Sequence, residues 1–180
     1  MIVQIHTKRF ILREINESDI DGIFELDSDF EVHKYLGNNP ITSKSQAIHI
    51  INNFQNQYIK NGIGRLAIID KNSNNFIGWC GLKYISEKTN NHDNYYDLGY
   101  RLIKKHWGKG IAKETSTAIL KFGFENLKLE KIYAIADCGN ETSNAILVKL
   151  GFKFIETFNH FGINHNWYEI KKDDFIPVIP

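Results

Sequence analysis

The 180 residues are 42% hydrophobic and 24% charged, with a formal net charge of +1. That is ordinary composition for a globular chain long enough to bury a core. So even a charge balance gives no field to draw the protein to nucleic acid or a membrane surface, and no apolar run approaches the roughly 20 residues that span a bilayer. The opening, Met1-Ile2-Val3-Gln4-Ile5-His6, lacks the apolar stretch of a secretory signal. The expectation is a cytoplasmic protein of one domain, residues 1–180.

Arg9 to Arg13 alternates polar and apolar, as a half-buried strand does. Asn16 to Asp27 follows with apolar residues at helical spacing. Ser43-Lys44-Ser45-Gln46 is a capping box that opens a second helix, with Ile48, Ile51, Phe54 and Tyr58 along one face. Leu66 to Ile69 and Phe76 to Leu82 flank the turn Lys71 to Asn75 and read as a hairpin. After a polar loop, Glu87 to Asn94, the spacing predicts a strand over Tyr95 to Ile103, a helix from Gly110 to Leu127 and a strand from Lys131 to Asp137. A helix from Asn140 to Leu150 then stops at Gly151. Two closing strands, Lys153 to Phe158 and Trp167 to Ile170, enclose the segment Asn159 to Asn166. A strand, helix and strand in succession over Tyr95 to Asp137 imply a parallel crossover. The expected class is α/β (α+β): a mixed sheet of about six to seven strands with helices on both faces.

The turn Lys105-His106-Trp107-Gly108-Lys109-Gly110-Ile111-Ala112 joins a strand to a helix through two glycines. Such a turn exposes a row of main-chain N–H groups at the positive end of a helix dipole, which suits a diphosphate. A tight structural turn without a ligand is the alternative. The Gly-x-x-x-x-Gly-Lys-Ser/Thr of a phosphate loop is absent, and the third glycine of a dinucleotide fingerprint is replaced by Lys113. Asn140 is a good N-cap, and Ser143 lies one turn further on. Cys80 and Cys138 stand far apart and outside any Cys-x-x-Cys pair, so two free, buried thiols are expected. The seven histidines have no ligand-like spacing, so no metal site is expected.

The ordered set of motifs resembles the GNAT N-acetyltransferases. It comprises Lys105-x-x-Gly108-x-Gly110, then Asn140-x-x-Ser143, then Lys149-Leu150-Gly151-Phe152. Asp97-Leu98-Gly99-Tyr100 before Trp107 to Ala112, and Lys8 to Arg13 with Asp19 after it, look like the RimJ/RimL-type branch. The resemblance runs from about Thr7 to about Lys171. It implies the GNAT fold and acetyl-CoA as donor, with no metal. The acetyl group would pass directly to a primary amine, on a protein N-terminus or a small molecule. A non-catalytic acyl-CoA-binding sensor on the same fold is the alternative, and only the enzyme would release thiol.

On this resemblance the diphosphate would be held by the backbone of Trp107, Gly108, Lys109, Gly110, Ile111, Ala112 and Lys113, with Asn140 and Ser143 alongside. The two central strands would splay, and a main-chain N–H near Tyr100 or Leu102 would polarise the thioester carbonyl. Lys105 stands where the family has Gln or Arg. Leu147 stands where many members have a tyrosine that protonates the leaving thiolate, so Ser143 or water would take that task. Asp97, on one face with Gly99 and Arg101, is the candidate base; a cross-strand ion pair is its structural alternative. His160 and Glu156 are weaker base candidates. Tyr35 is a candidate wall of the acceptor pocket, with Asn159 to Asn166 closing it. Phe158, Phe161, Trp167 and Tyr168 line that pocket or belong to the core. Fold likeness leaves monomer and homodimer both open.

Overall fold

The alternating segments assemble into one eight-stranded sheet in the computed structural model, which describes residues 3–176. Met1 and Ile2 of the N-terminal reading lie outside the described residues. The strands are β1 (Gln4–His6), β2 (Phe10–Glu14), β3 (Arg65–Asp70), β4 (Phe76–Ile85), β5 (Tyr95–Leu102), β6 (Lys131–Asp137), β7 (Lys153–His160) and β8 (Ile163–Lys171). Their order across the sheet is β1-β2-β3-β4-β5-β6-β8-β7. Every neighbouring pair is antiparallel except β5 and β6, which are parallel. The helices are α1 (Ile20–Asp27), α2 (Phe30–His33), α3 (Lys44–Asn61), α4 (Ile111–Glu125) and α5 (Glu141–Lys149).

Both faces of the sheet are covered. Leu66, Ile68, Cys80, Leu82 and Leu98 pack with Ile119, Leu120 and Phe124 of α4 and Leu147 of α5. The alternate residues Ala67, Ile69, Trp79 and Ile103 pack with Ile23 and Leu26 of α1 and Ile51 and Phe54 of α3. Burial on both sides explains why β3 reads as an unbroken apolar run instead of an alternating one. The Ser43 capping box forms, with Ser43 N–H donating to Gln46 Oε1 at 3.1 Å.

The expected mixed sheet with helices on both faces is present, with three corrections of detail. The strand count is eight because β1, only three residues long, pairs with β2. The four-residue α2 was not legible as a helix. Finally, Asn159 to Asn166 is not a loop: β7 and β8 extend through it as a hairpin to the pair His160↔Ile163. Phe161 and Gly162 form its turn at φ 51° and 85°, the left-handed pair a type I′ turn requires. Phe161 is thereby 93% exposed and belongs neither to a pocket nor to the core, whereas Trp167 and Tyr168 are buried.

Candidate active site

The parallel ladder between β5 and β6 consists of one pair, Asp97↔Tyr133, although the strands run on to Leu102 and Asp137. Ile103 N–H donates to Ile77 O, on the β4 side, at 3.0 Å. Alternation therefore turns the N–H groups of Leu98, Tyr100 and Leu102 the other way, towards β6. Trp107 Nε1 donates to the Leu102 carbonyl at 2.8 Å. The edges of this gap carry main-chain groups that need partners when covered.

At the open end of the gap a 3-10 turn, Lys104–His106, leads to the start of α4. Gly108 and Gly110 have φ of 72° and 71°, a left-handed conformation that a Cβ disfavours. Gly110 caps α4 without a side-chain bond. The N–H groups of Ile111, Ala112 and Lys113 thus have no acceptor within the helix, and the helix dipole adds positive potential there. A Cβ on Gly108 would meet nothing within 4 Å, so the surface of the turn is open to a bulky anion. The lysine heads are otherwise engaged. Lys105 Nζ meets Glu25 Oε1 at 2.6 Å and Lys109 Nζ donates to Lys105 O at 2.9 Å. With the Lys105 and Lys109 heads so placed, the unpaired N–H groups of this turn are main-chain amides.

Arg9 fixes the turn from β1–β2. Its Nη1 donates to Lys109 O at 3.0 Å, and its Nε and backbone N–H donate to the Glu114 carboxylate at 2.7 and 2.9 Å. Thr7 Oγ1 adds a fourth bond, to Glu114, at 2.7 Å. Burial works against the charge on Glu114, but these hydrogen bonds and the Arg9 cation hold its carboxyl below the usual glutamate range.

Asn140 and Ser143 stand at the start of α5, where Asn140 Oδ1 accepts from Ser143 N–H at 3.0 Å. Ser143 Oγ lies 3.1 Å from the hydroxyl of Tyr100, whose side chain crosses from β5. Burial pushes the Tyr100 phenol well above its usual value. Leu147 is fully in the core. Tyr35, in the loop after α2, reaches the turn after β6: its ring edge is 3.5 Å from where a Gly139 Cβ would stand.

The opposite face of β5 carries Asp97 and Arg101, and sequence reasoning missed their partners, Arg65 and Asp27. The Arg65 guanidinium leaves β3 and crosses the sheet to the Asp97 carboxylate, with Nη1 on Gly81 O at 2.5 Å and on Asp97 O at 2.7 Å. It can lie there because Gly81 and Gly99 oppose each other; a Cβ on Gly99 would come within 2.6 Å of Arg65 Nη2. Two facing glycines on adjacent strands were the available signal. Asp97 is thus an ion-pair partner. Burial raises its carboxyl above the usual aspartate value, against the pull of Arg65. Four residues on, Arg101 Nη1 donates to the buried Asp27 at 2.5 Å. Trp79 packs against both guanidinium groups, at 5.4 Å from Arg65 and 5.1 Å from Arg101.

The weaker candidates are dispersed. Glu156 accepts from Asn90 Nδ2 at 3.0 Å, and His160 packs on Phe161 at the hairpin tip. Cys80 is buried beside Ser116, while Cys138, expected inside, is exposed because it follows the last residue of β6. Among the described residues no helix is long and apolar enough to cross a membrane.

Residues 9–153 match the family model described as Acetyltransferase (GNAT) domain. The chain is 35% identical over 150 residues to the uncharacterized N-acetyltransferase YoaA of Bacillus subtilis, covering 83% of this chain and 82% of YoaA. Its fold is similar to a GNAT-family acetyltransferase from Bacillus anthracis, with a TM-score of 0.79 and 22% identity over 95% of this chain and 99% of that one. It is also similar to a spermidine N-acetyltransferase from Vibrio cholerae solved with CoA and spermine, with a TM-score of 0.73 and 20% identity over 92% and 97% of the two chains.

Proposed function

Because the chain belongs to the GNAT acetyltransferase family, we propose that it passes the acetyl group of acetyl-CoA directly to a primary amine in a ternary complex. The acceptor is a protein N-terminal α-amine or a small-molecule amine. The coarser activity, that of an acetyl-CoA-dependent acyltransferase, follows from the family itself. The motifs Asp97 to Tyr100 and Trp107 to Ala112 support a place in the RimJ/RimL-type branch.

The observation that carries the reading is the uncapped start of α4 opening onto the β5–β6 gap. The amides of the turn from Trp107 to Lys113 suit the diphosphate, with Asn140 and Ser143 alongside. The gap-facing groups of Tyr100 and Leu102 suit the amide-bearing arm and the thioester carbonyl. Acetyl-CoA supplies an acyl group already activated as a thioester. The protein's tasks are to hold it, to accept a proton from the amine and to return one to the leaving sulfur.

An α-amine has a pKa of about 7.7–8.0, so freeing its lone pair at pH 7 costs only about 1–1.5 kcal/mol. A weak base suffices. Asp97 keeps Oδ1 outside its bond to Arg65 and faces the acceptor side with Gly99 and Arg101; it takes the proton directly or through water. On the other face Ser143, backed by the neutral Tyr100 phenol, supplies the proton to sulfur in place of the side chain that Leu147 cannot provide. Tyr35 forms a wall of the acceptor pocket.

The test is thiol release from acetyl-CoA in the presence of peptides, polyamines, amino acids or aminoglycosides. Release with one of these acceptors is the expected result. CoA binding with no release from any of them would defeat the transferase reading and leave a sensor.

A further inference from the structure

On the acceptor side of β5, buried hydrogen-bond donors converge without acceptors. Trp79 is 8% exposed, and its Nε1 is buried with no partner among the described residues. His33 is 7% exposed, and both ring nitrogens are likewise buried and unpartnered. Its Nε2 comes no closer than 3.5 Å to Asp27 Oδ1. The Arg101 guanidinium makes one hydrogen bond among the described residues, from Nη1 to that same Asp27 oxygen, and its side chain is 22% exposed. These groups form one cluster. Trp79 and Arg101 are cross-strand partners, and Asp27 links Arg101 to His33.

The chemistry of what is left over is one-sided. An indole N–H and a guanidinium can only donate; a neutral imidazole adds one N–H and one acceptor nitrogen. Asp27 occupies one edge of the Arg101 guanidinium and leaves its other N–H groups free among the described residues. Buried donors without acceptors are costly, and a cluster of them with a half-used guanidinium is complementary to an anion. A cation there would meet Arg101. Arg65, by contrast, is spent on Asp97 and Gly81. We propose that Arg101, Trp79 and His33 form a carboxylate subsite, and that the acceptor is an amine bearing a carboxylate, an amino acid in place of a polyamine, an aminoglycoside or a peptide N-terminus.

This inference rests on the transferase reading above and narrows it. Arg101 lies between Tyr100 and Leu102, whose amides face the thioester gap, and on one face with Gly99 and Asp97. Alternate residues of a strand are about 7 Å apart. A carboxylate on Arg101 therefore leaves an amine a few bonds away near Gly99, and Asp97, about 13 Å along the strand from Arg101, would take its proton through water.

The experiment measures kcat/KM for thiol release with the twenty amino acids, their carboxamides, spermidine and short peptides. At least one amino acid should exceed its carboxamide by about 100-fold, the size expected when a charged hydrogen-bond partner is lost. Arg101→Gln should bring that acid down to the level of its amide while CoA affinity holds. Trp79→Phe removes the N–H and part of the ring but keeps an aromatic face for the guanidinium groups, so it should narrow the preference severalfold, with circular dichroism confirming the fold. Equal rates for acids and amides, or a preference for spermidine or peptides, would overturn the subsite and leave the transferase intact. An acid preference that survives both substitutions would assign the donors to ordered water and overturn it too. No release from any acceptor would remove the transferase reading first and this inference with it.

Discussion

The Tyr100 hydroxyl stands 3.1 Å from the Ser143 hydroxyl, so a residue of β5 and a residue of α5 meet across the face of the gap. The tyrosine comes from a strand, not from position 147. Because Tyr100 backs Ser143 in the proposed return of a proton to sulfur, Tyr100→Phe should lower kcat by about 100-fold, the low end for loss of a general acid, while CoA affinity changes little. Burial keeps the phenol protonated across the working pH range, so the substitution should not move the alkaline limb of the pH–rate profile. Steady-state kinetics from pH 6 to 9 with calorimetric CoA titration checks both.

As the proposed base, Asp97 would act only when ionised, and burial raises its carboxyl above the ordinary aspartate value. Activity should therefore fall, as pH is lowered, at a higher pH than an exposed aspartate would give. Asp97→Asn should remove that limb and lower turnover at neutral pH, with CoA affinity kept. A full-activity Asn variant with an unchanged profile would exclude Asp97 as base.

Gly99→Ala pushes a Cβ to within 2.6 Å of Arg65 Nη2. It should destabilise the protein by about 1–3 kcal/mol through overpacking, read from urea unfolding. Arg65→Met, which strands the Asp97 carboxylate, should cost more, about 3–5 kcal/mol. The two losses should fall short of adding in the double variant, since both act on one contact.

Gly110 holds φ 71°, out of reach of proline. Gly110→Pro should abolish CoA binding and unwind the start of α4. Gly110→Ala, whose Cβ approaches Arg9 Nη2 only to 3.8 Å, should cost about 1 kcal/mol in stability and weaken CoA severalfold. Circular dichroism and calorimetry separate folding from binding.

Glu114 has its carboxyl held below the ordinary range. The sign is that of a depressed acid: its contribution to stability is present above the unfolded-state pKa and is lost as pH falls through the folded one. Glu114→Gln should flatten the acid side of the stability–pH curve. Arg9→Gln should weaken CoA binding by leaving the Glu114 carboxylate without its cation in the first turn of α4. Thermal melts between pH 3 and 7, with CoA titrations, read both effects.

Periodicity exposed the long elements well. α3, α4 and α5 announced themselves by apolar spacing, by the Ser43 box and by Gly110 and Gly151. β1 escaped because three residues carry too little alternation, and α2 because one turn has no period. The β7–β8 hairpin escaped because Asn164, His165 and Asn166 are polar on both faces of an edge ribbon, and Phe161-Gly162 is an uncommon turn pair. The glycine turn at the start of α4 was readable because its geometry is carried by consecutive residues. The Arg65–Asp97 and Arg101–Asp27 pairs were not, since partners 32 and 74 residues apart become neighbours only once the strand order is known. Even so, Asp97 as a cross-strand ion-pair partner was among the sequence expectations.

The lone rung at Asp97↔Tyr133 makes the sheet two leaves, β1 to β5 and β6, β8 and β7, joined along a seam. Whatever lies in that seam with amides of its own restores the missing rungs. An acyl donor bound there as proposed would be a structural stitch as well as a reagent. Slowed amide hydrogen exchange at Tyr100 and Leu102 on adding CoA would register the stitch directly, with no turnover required.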